Sequence, residues 1–281
     1  MLAVQTIRAR ARSGALRSWG MTLLLAAALA TQAHAGRSCE ARKPTLQVIE
    51  RGMKLAQQTA AALDAENTRS GAQVVLLGRA GQDLGKYGLR YSHFGWAYRT
   101  PEGSWRVAHK LNECGTAEGH LYRQGLGEFF LDDLWRYAAV YAVPTAEVQQ
   151  RLLSVLLHDE RIRALQHLPY STVSYVWGAK YQQSNQWALE TLAMAMDPAA
   201  VHTRAQAQAW LQRKGYAPSV LKIGALTRLG GRLGSANIAF DDHPGEKRFS
   251  DRIETVTVDS VLDWLQRAQL AAQPVGLAVE D

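Results

Sequence analysis

The run YSHFGWAYRTPEGSWRVAHKL, Tyr91 to Leu111, constrains the fold more than any other stretch of this chain. Two short runs rich in aromatic and branched residues flank Thr100-Pro-Glu-Gly-Ser104, a turn by composition. Strands joined this closely must lie antiparallel, because parallel strands need a long crossover. The spacing predicts strands over Tyr91–Arg99 and Trp105–Leu111. Residues two apart in a strand share a face. His93 therefore shares its face with Tyr91 and Gly95, and His109 with Val107 and Leu111. With the turn centred near residues 101–102, positions whose numbers total 202 to 204 face each other; those of His93 and His109 total 202. The two imidazoles are expected as a cross-strand pair. Such a pair suits a base and the group that orients it. It is equally what two half-exposed strand histidines would look like.

The rest of the chain supplies helices and further strands. Leu46, Ile49, Met53, Leu55, Ala56, Ala60 and Leu63 recur at helical spacing, predicting a helix from Pro44 to about Ala65. Gln73–Gly78 reads as a strand, and Tyr137–Val143 as another ended by Pro144. Glu147 to about Gln166 reads as one helix with Thr145 as its cap. Ser184–Met196 and Ala205–Lys214 read as helices, Glu254–Val258 as a strand, and Asp259 to about Leu270 as a helix. Leu121–Trp135 is mixed, broken by Gly125 and Gly127. An antiparallel sheet with flanking helices is an α+β fold.

The first 35 residues read as a secretory signal peptide. Arg8, Arg10, Arg12 and Arg17 form a basic start, Leu23–Ala30 is a short apolar run, and Ala33-His34-Ala35 is a cleavage site. Residues 36–281 would then be a single domain, with 200–281 as a C-terminal elaboration or the completion of the sheet. The expected location is the periplasm, with no membrane span left after cleavage. The chain carries +7 overall, but removing four arginines leaves +3. That weak excess, with no basic stripe interleaved with aromatics, argues against nucleic acid as a partner. Cys39 and Cys114 are the two cysteines. In an oxidising compartment they are expected to form a disulfide, and without a C-x-x-C motif a redox role is weak. No cofactor signature and no zinc-ligand spacing is present. Asp241, Asp242 and His243, in FDDHPG, are a metal-ligand possibility that also reads as a turn.

The paired-strand motif resembles the H-x-G-[IVW]-x-Y…V-x-H pattern of papain-like amidases and acyltransferases of the NlpC type, including their circularly permuted relatives. The segments SHFGWAYR, HKLNECGT and YQQSNQWALE resemble a bacterial group known as domain of unknown function 2145, and that resemblance spans most of the chain beyond the leader. The papain-like resemblance implies a papain-like fold with His93 as base and His109 as its orienter. In the permuted order, the nucleophile helix follows the strands. The matching position is Ser184, where the relatives have cysteine, and this departure means either serine chemistry or loss of activity. Ser184 also suits a helix cap. Gln183 and Asn185 beside it are candidate oxyanion or substrate-binding groups. In the standard order the nucleophile would be Cys39, which lies several residues before its helix.

The resemblance and the leader together imply a cell-envelope hydrolase or acyltransferase. It would act on an amide, ester or thioester of a peptide, glycan or acyl substrate through Ser184, His93 and His109. Two alternatives stand beside it: an inactive binding module using the same cleft, and a cysteine hydrolase using Cys39.

Overall fold

The computed structural model describes residues 43–132 and 134–280. Helix α1 (Leu46–Ser70) opens the described chain, and Thr45 caps it by accepting from Val48 N. It closes at Gly71, whose φ of 72° is the left-handed conformation glycine adopts without strain. The buried residues Gly52, Leu55, Ala56, Thr59 and Leu63 form one stripe along it. Strands β1 (Val74–Arg79), β2 (His93–Arg99), β3 (Trp105–Asn112) and β4 (Gly119–Gly125) follow as an antiparallel meander. A short helix, α2 (Leu126–Phe130), leads into β5 (Ala138–Ala142), which pairs with the far side of β1.

The expected helix over Glu147–Gln166 is two helices, α3 (Ala146–Leu156) and α4 (Asp159–Arg163). They part at His158, whose extended backbone makes it the cap of α4. Next come α5 (Ser184–Met196) and α6 (Arg204–Arg213). Strand β6 (Ser219–Lys222), helices α7 (Ala225–Gly234) and α8 (Gly245–Phe249), and strand β7 (Arg252–Thr255) form a side unit in which β6 and β7 pair only with each other. Helix α9 (Val258–Arg267) and strand β8 (Val275–Ala278) complete the chain, and β8 closes one edge of the main sheet. The six-stranded order is β4-β3-β2-β1-β5-β8, antiparallel throughout. The fold is α+β, as expected.

The two faces of this sheet have separate cores, because alternate residues point to opposite sides. One face carries Val75, Leu77, Ala97 and Val107 against Leu55 and Leu63 of α1 and Phe129 and Phe130 of α2. The other carries Leu76, Phe94, Trp96 and Tyr98 against Trp187, Ala188 and Leu192 of α5 and Val148 and Leu152 of α3. Trp96 is fully buried there and donates its indole N–H to Ala188 O at 2.9 Å. No helix of the described residues is long and apolar enough to cross a membrane.

Candidate functional site

Strands β2 and β3 pair over four rungs, from Trp96↔Ala108 to Arg99↔Trp105. Extending that register sets His109 opposite Gly95, so the two histidines meet on a diagonal rather than head-on. Gly95 makes the diagonal possible. A Cβ there would lie 2.9 Å from His109 Cβ and 2.7 Å from Ala108 O. Across this gap His93 Nε2 lies 2.8 Å from His109 Nδ1, and His109 Nε2 lies 2.9 Å from Gln124 Oε1.

The order of these contacts sets the tautomers. Gln124 Oε1 only accepts, so His109 carries its proton on Nε2 and presents a bare Nδ1. His93 must then donate from Nε2, leaving its own Nδ1 as a bare acceptor. That atom makes no hydrogen bond among the described residues, and it is not sealed from solvent. His109 is fully buried, whereas His93 is half-buried.

Phe129 of α2 packs on both rings, with centroids 5.9 Å from His93 and 5.2 Å from His109. Arg79, facing His93 in the β1–β2 register, lays its guanidinium 4.6 Å from the Phe129 centroid and bonds Phe129 O and Asp132. Burial, then the Arg79 charge, pulls the His93 pKa well below its usual 6.5, and the same two causes lower that of His109 to about 3. Both rings are neutral at pH 7.

Ser184 lies elsewhere. It begins α5 on the Trp96 face, across the sheet from the histidines. Its hydroxyl is buried and lies 3.2 Å from the Tyr170 hydroxyl, and no hydrogen bond joins it to either histidine. Nor is it the helix cap: Gln183 holds that place, its Oε1 accepting from Asn185 N at 3.2 Å. The amides next to it are committed. Gln183 donates to Thr255 Oγ1 and Val256 O, at 2.9 and 2.5 Å. Asn185 accepts from Phe94 N at 3.0 Å and donates to Ser92 O at 3.3 Å. Both N–H groups of Gln183 Nε2 are thus used within the protein, and Asn185 is tied to the β2 backbone. The expected grouping of Ser184, Gln183 and Asn185 with the histidines is therefore divided by the sheet. Face alternation is the reason: His93 and Phe94 are neighbours in sequence but point to opposite sides.

Sequence reasoning missed the network beneath α5. Lys110, on the same face as Trp96, is fully buried and donates to His167 O, Gln182 O and Gln182 Oε1 at 2.5, 2.8 and 3.0 Å. Burial beside Arg204 lowers its pKa to about 7. Gln182 Nε2 passes the chain to Glu190 at 2.6 Å, and Glu190 pairs with Arg204 at 2.9 Å and Gln208 at 2.8 Å. The signal available in sequence was a lysine directly after His109 in an apolar strand.

The FDDHPG segment is a turn that clasps the loop before α5. Asp242 accepts from Tyr175 N at 2.7 Å, His243 Nε2 bonds Val173 O at 2.8 Å, and Asp241 pairs with Lys180. A different trio, Glu113, Glu118 and His120, converges at the exposed β3–β4 turn, its ligand atoms within 4.8 Å of one another. Of the two cysteines, Cys114 is not a free thiol, and Cys39, with the whole expected leader, lies outside the described residues.

The model of one protein family, described as "Uncharacterized protein conserved in bacteria (DUF2145)", matches residues 66–265. The chain belongs to this family. The matched span contains β1, both histidines, Gln124, the Lys110 network and α5, so every part of the site described above is DUF2145 sequence. No curated protein and no solved structure matches the chain.

Proposed function

We propose that this protein is a papain-like hydrolase of the cell envelope, exported by its N-terminal leader, with His93 as general base and His109 and Gln124 as the groups that orient it. The observation that carries this reading is the hydrogen-bonded chain from Gln124 through His109 to His93, which ends in an uncommitted ring nitrogen. A bare, solvent-reachable ring nitrogen on an oriented imidazole is what a general base must present. The attacking group in this reading is water. His93 Nδ1 takes its proton as the oxygen adds to an ester or amide carbonyl, and the imidazolium returns that proton to the leaving group. Arg79 weakens the base but favours an oxyanion developing beside it. The strand motif and the strand-then-helix order support the papain-like comparison. In this reading Ser184, across the sheet from His93, takes no part in the chemistry.

A second reading, a binding module that uses the same face, is favoured by one observation: no serine, threonine or cysteine is hydrogen-bonded to His93 among the described residues. Its ligand would donate an N–H or O–H to Nδ1. Hydrolysis of fluorogenic esters and envelope peptide amides separates the two. Wild-type turnover should fall on the order of a hundredfold or more in His93→Ala and persist in Ser184→Ala. Equal turnover by wild type and His93→Ala sinks the base assignment. A wild type that turns nothing over, yet binds envelope peptides in a His93-dependent way, establishes the binding module.

A further inference from the structure

We propose that α7 is a docking element for the surface of an anionic lipid bilayer. It carries Leu226, Leu229 and Leu233, which are 86%, 56% and 81% exposed. At 100° per residue these three fall on one side of the helix, roughly opposite Gly231, its one buried residue. The apolar side thus points straight away from the protein.

A ten-residue helix containing Gly230, Gly231 and Gly234 is a poor helix in water. It buries almost nothing of its own, so a surface that covers the leucines would supply what the helix lacks. The charge pattern selects the occupant. From residue 198 to residue 240 the chain has no acidic residue and six basic ones; Arg204 and Arg228 are ion-paired with Glu190 and Asp251, while Arg213, Lys214, Lys222 and Arg232 are exposed. Arg232 sits on the helix beside Leu229 and Leu233 in sequence. Exposed leucines on an acid-free, basic segment suit the boundary between anionic headgroups and acyl chains. A second copy would bring this acid-free segment against its own like charge, which disfavours self-association.

The test compares wild type with the double variant Leu226→Ser/Leu233→Ser, using vesicles of phosphatidylcholine with and without phosphatidylglycerol. Both leucines are exposed, so the melting temperature should not change. Wild type should sediment with the phosphatidylglycerol vesicles, release as salt is raised, and show slowed amide exchange over 225–234. The double variant should bind roughly a hundredfold more weakly. Equal binding by the two proteins, or no wild-type binding to anionic vesicles, overturns the proposal. So does a concentration-dependent dimer that the double variant breaks, which would give this surface to a second copy.

Discussion

The two faces of the central sheet both bury polar side chains, and they do so in opposite ways. Under α5, Lys110, Gln182, Glu190, Arg204 and Gln208 form a network in which charge meets charge and the carbonyls of the preceding loop are filled. Under α1 and α2, the His93–His109–Gln124 chain ends on an atom with nothing to bind. A closed network specifies structure, because each member is costly to remove. An open chain keeps a lone pair for something outside the protein. The difference separates stability from chemistry more sharply than burial does, since Lys110 and His109 are equally inaccessible.

Breaking the closed face should cost most. Glu190→Ala leaves Arg204 and the Gln182 amide facing a hole and should destabilise by about 3–5 kcal/mol, read by urea unfolding; a loss below about 1 kcal/mol would make the network incidental. Gly95→Ala comes next. Its methyl would strike Ala108 O and His109 Cβ, so the strands must shift, at a cost of about 3 kcal/mol. The sharper readout is the His93–His109 hydrogen bond, which should vanish from imidazole NMR spectra; its survival would show that the diagonal does not need the glycine.

The third effect comes from pH. Both histidine pKa values are lowered in the folded state and return to 6.5 on unfolding, so the unfolded chain binds protons first. Stability contributed by the neutral pair is intact above pH 6.5 and is lost as pH falls from there toward about 3. His109, with its pKa lowered to about 3, should by itself remove about 2 kcal/mol between neutrality and pH 5, and His93 should act in the same direction. The double variant His93→Gln/His109→Gln should flatten that slope, and an unchanged slope would place the acid sensitivity elsewhere. Ser184→Ala should matter least. It gives up one neutral hydrogen bond to Tyr170, worth about 1 kcal/mol, with no change in histidine titration; a shifted His93 pKa would show that the faces communicate through this hydroxyl.

Much of this architecture was legible in the sequence. The hairpin, α1, α5 and the strand before Pro144 follow from period and punctuation, with boundaries moved by a few residues. The contact between the histidines was legible too, because a turn of known length fixes register to within a residue or so. The side of the sheet that Ser184 occupies was not. It depends on which stripe of α5 packs, and α5 is buried nearly all round. The split at His158 was hidden because apolar spacing runs through it, and β4 was hidden because its exposed Tyr122 and Arg123 break the alternation. Gln124 carried no signal: only the β3–β4 register brings it to His109.

Asn185 gives the divided sheet one mechanical link. Its carboxamide holds Phe94 N and Ser92 O, the main-chain groups on either side of His93. His93 therefore rides on a piece of backbone fastened from the opposite side, as a hinge pin passes through a plate. Whatever loosens the first turn of α5 should let His93 drift without touching any residue of its own face. The exchange rate of the Phe94 amide would then report on the docking of a helix that the histidine never meets.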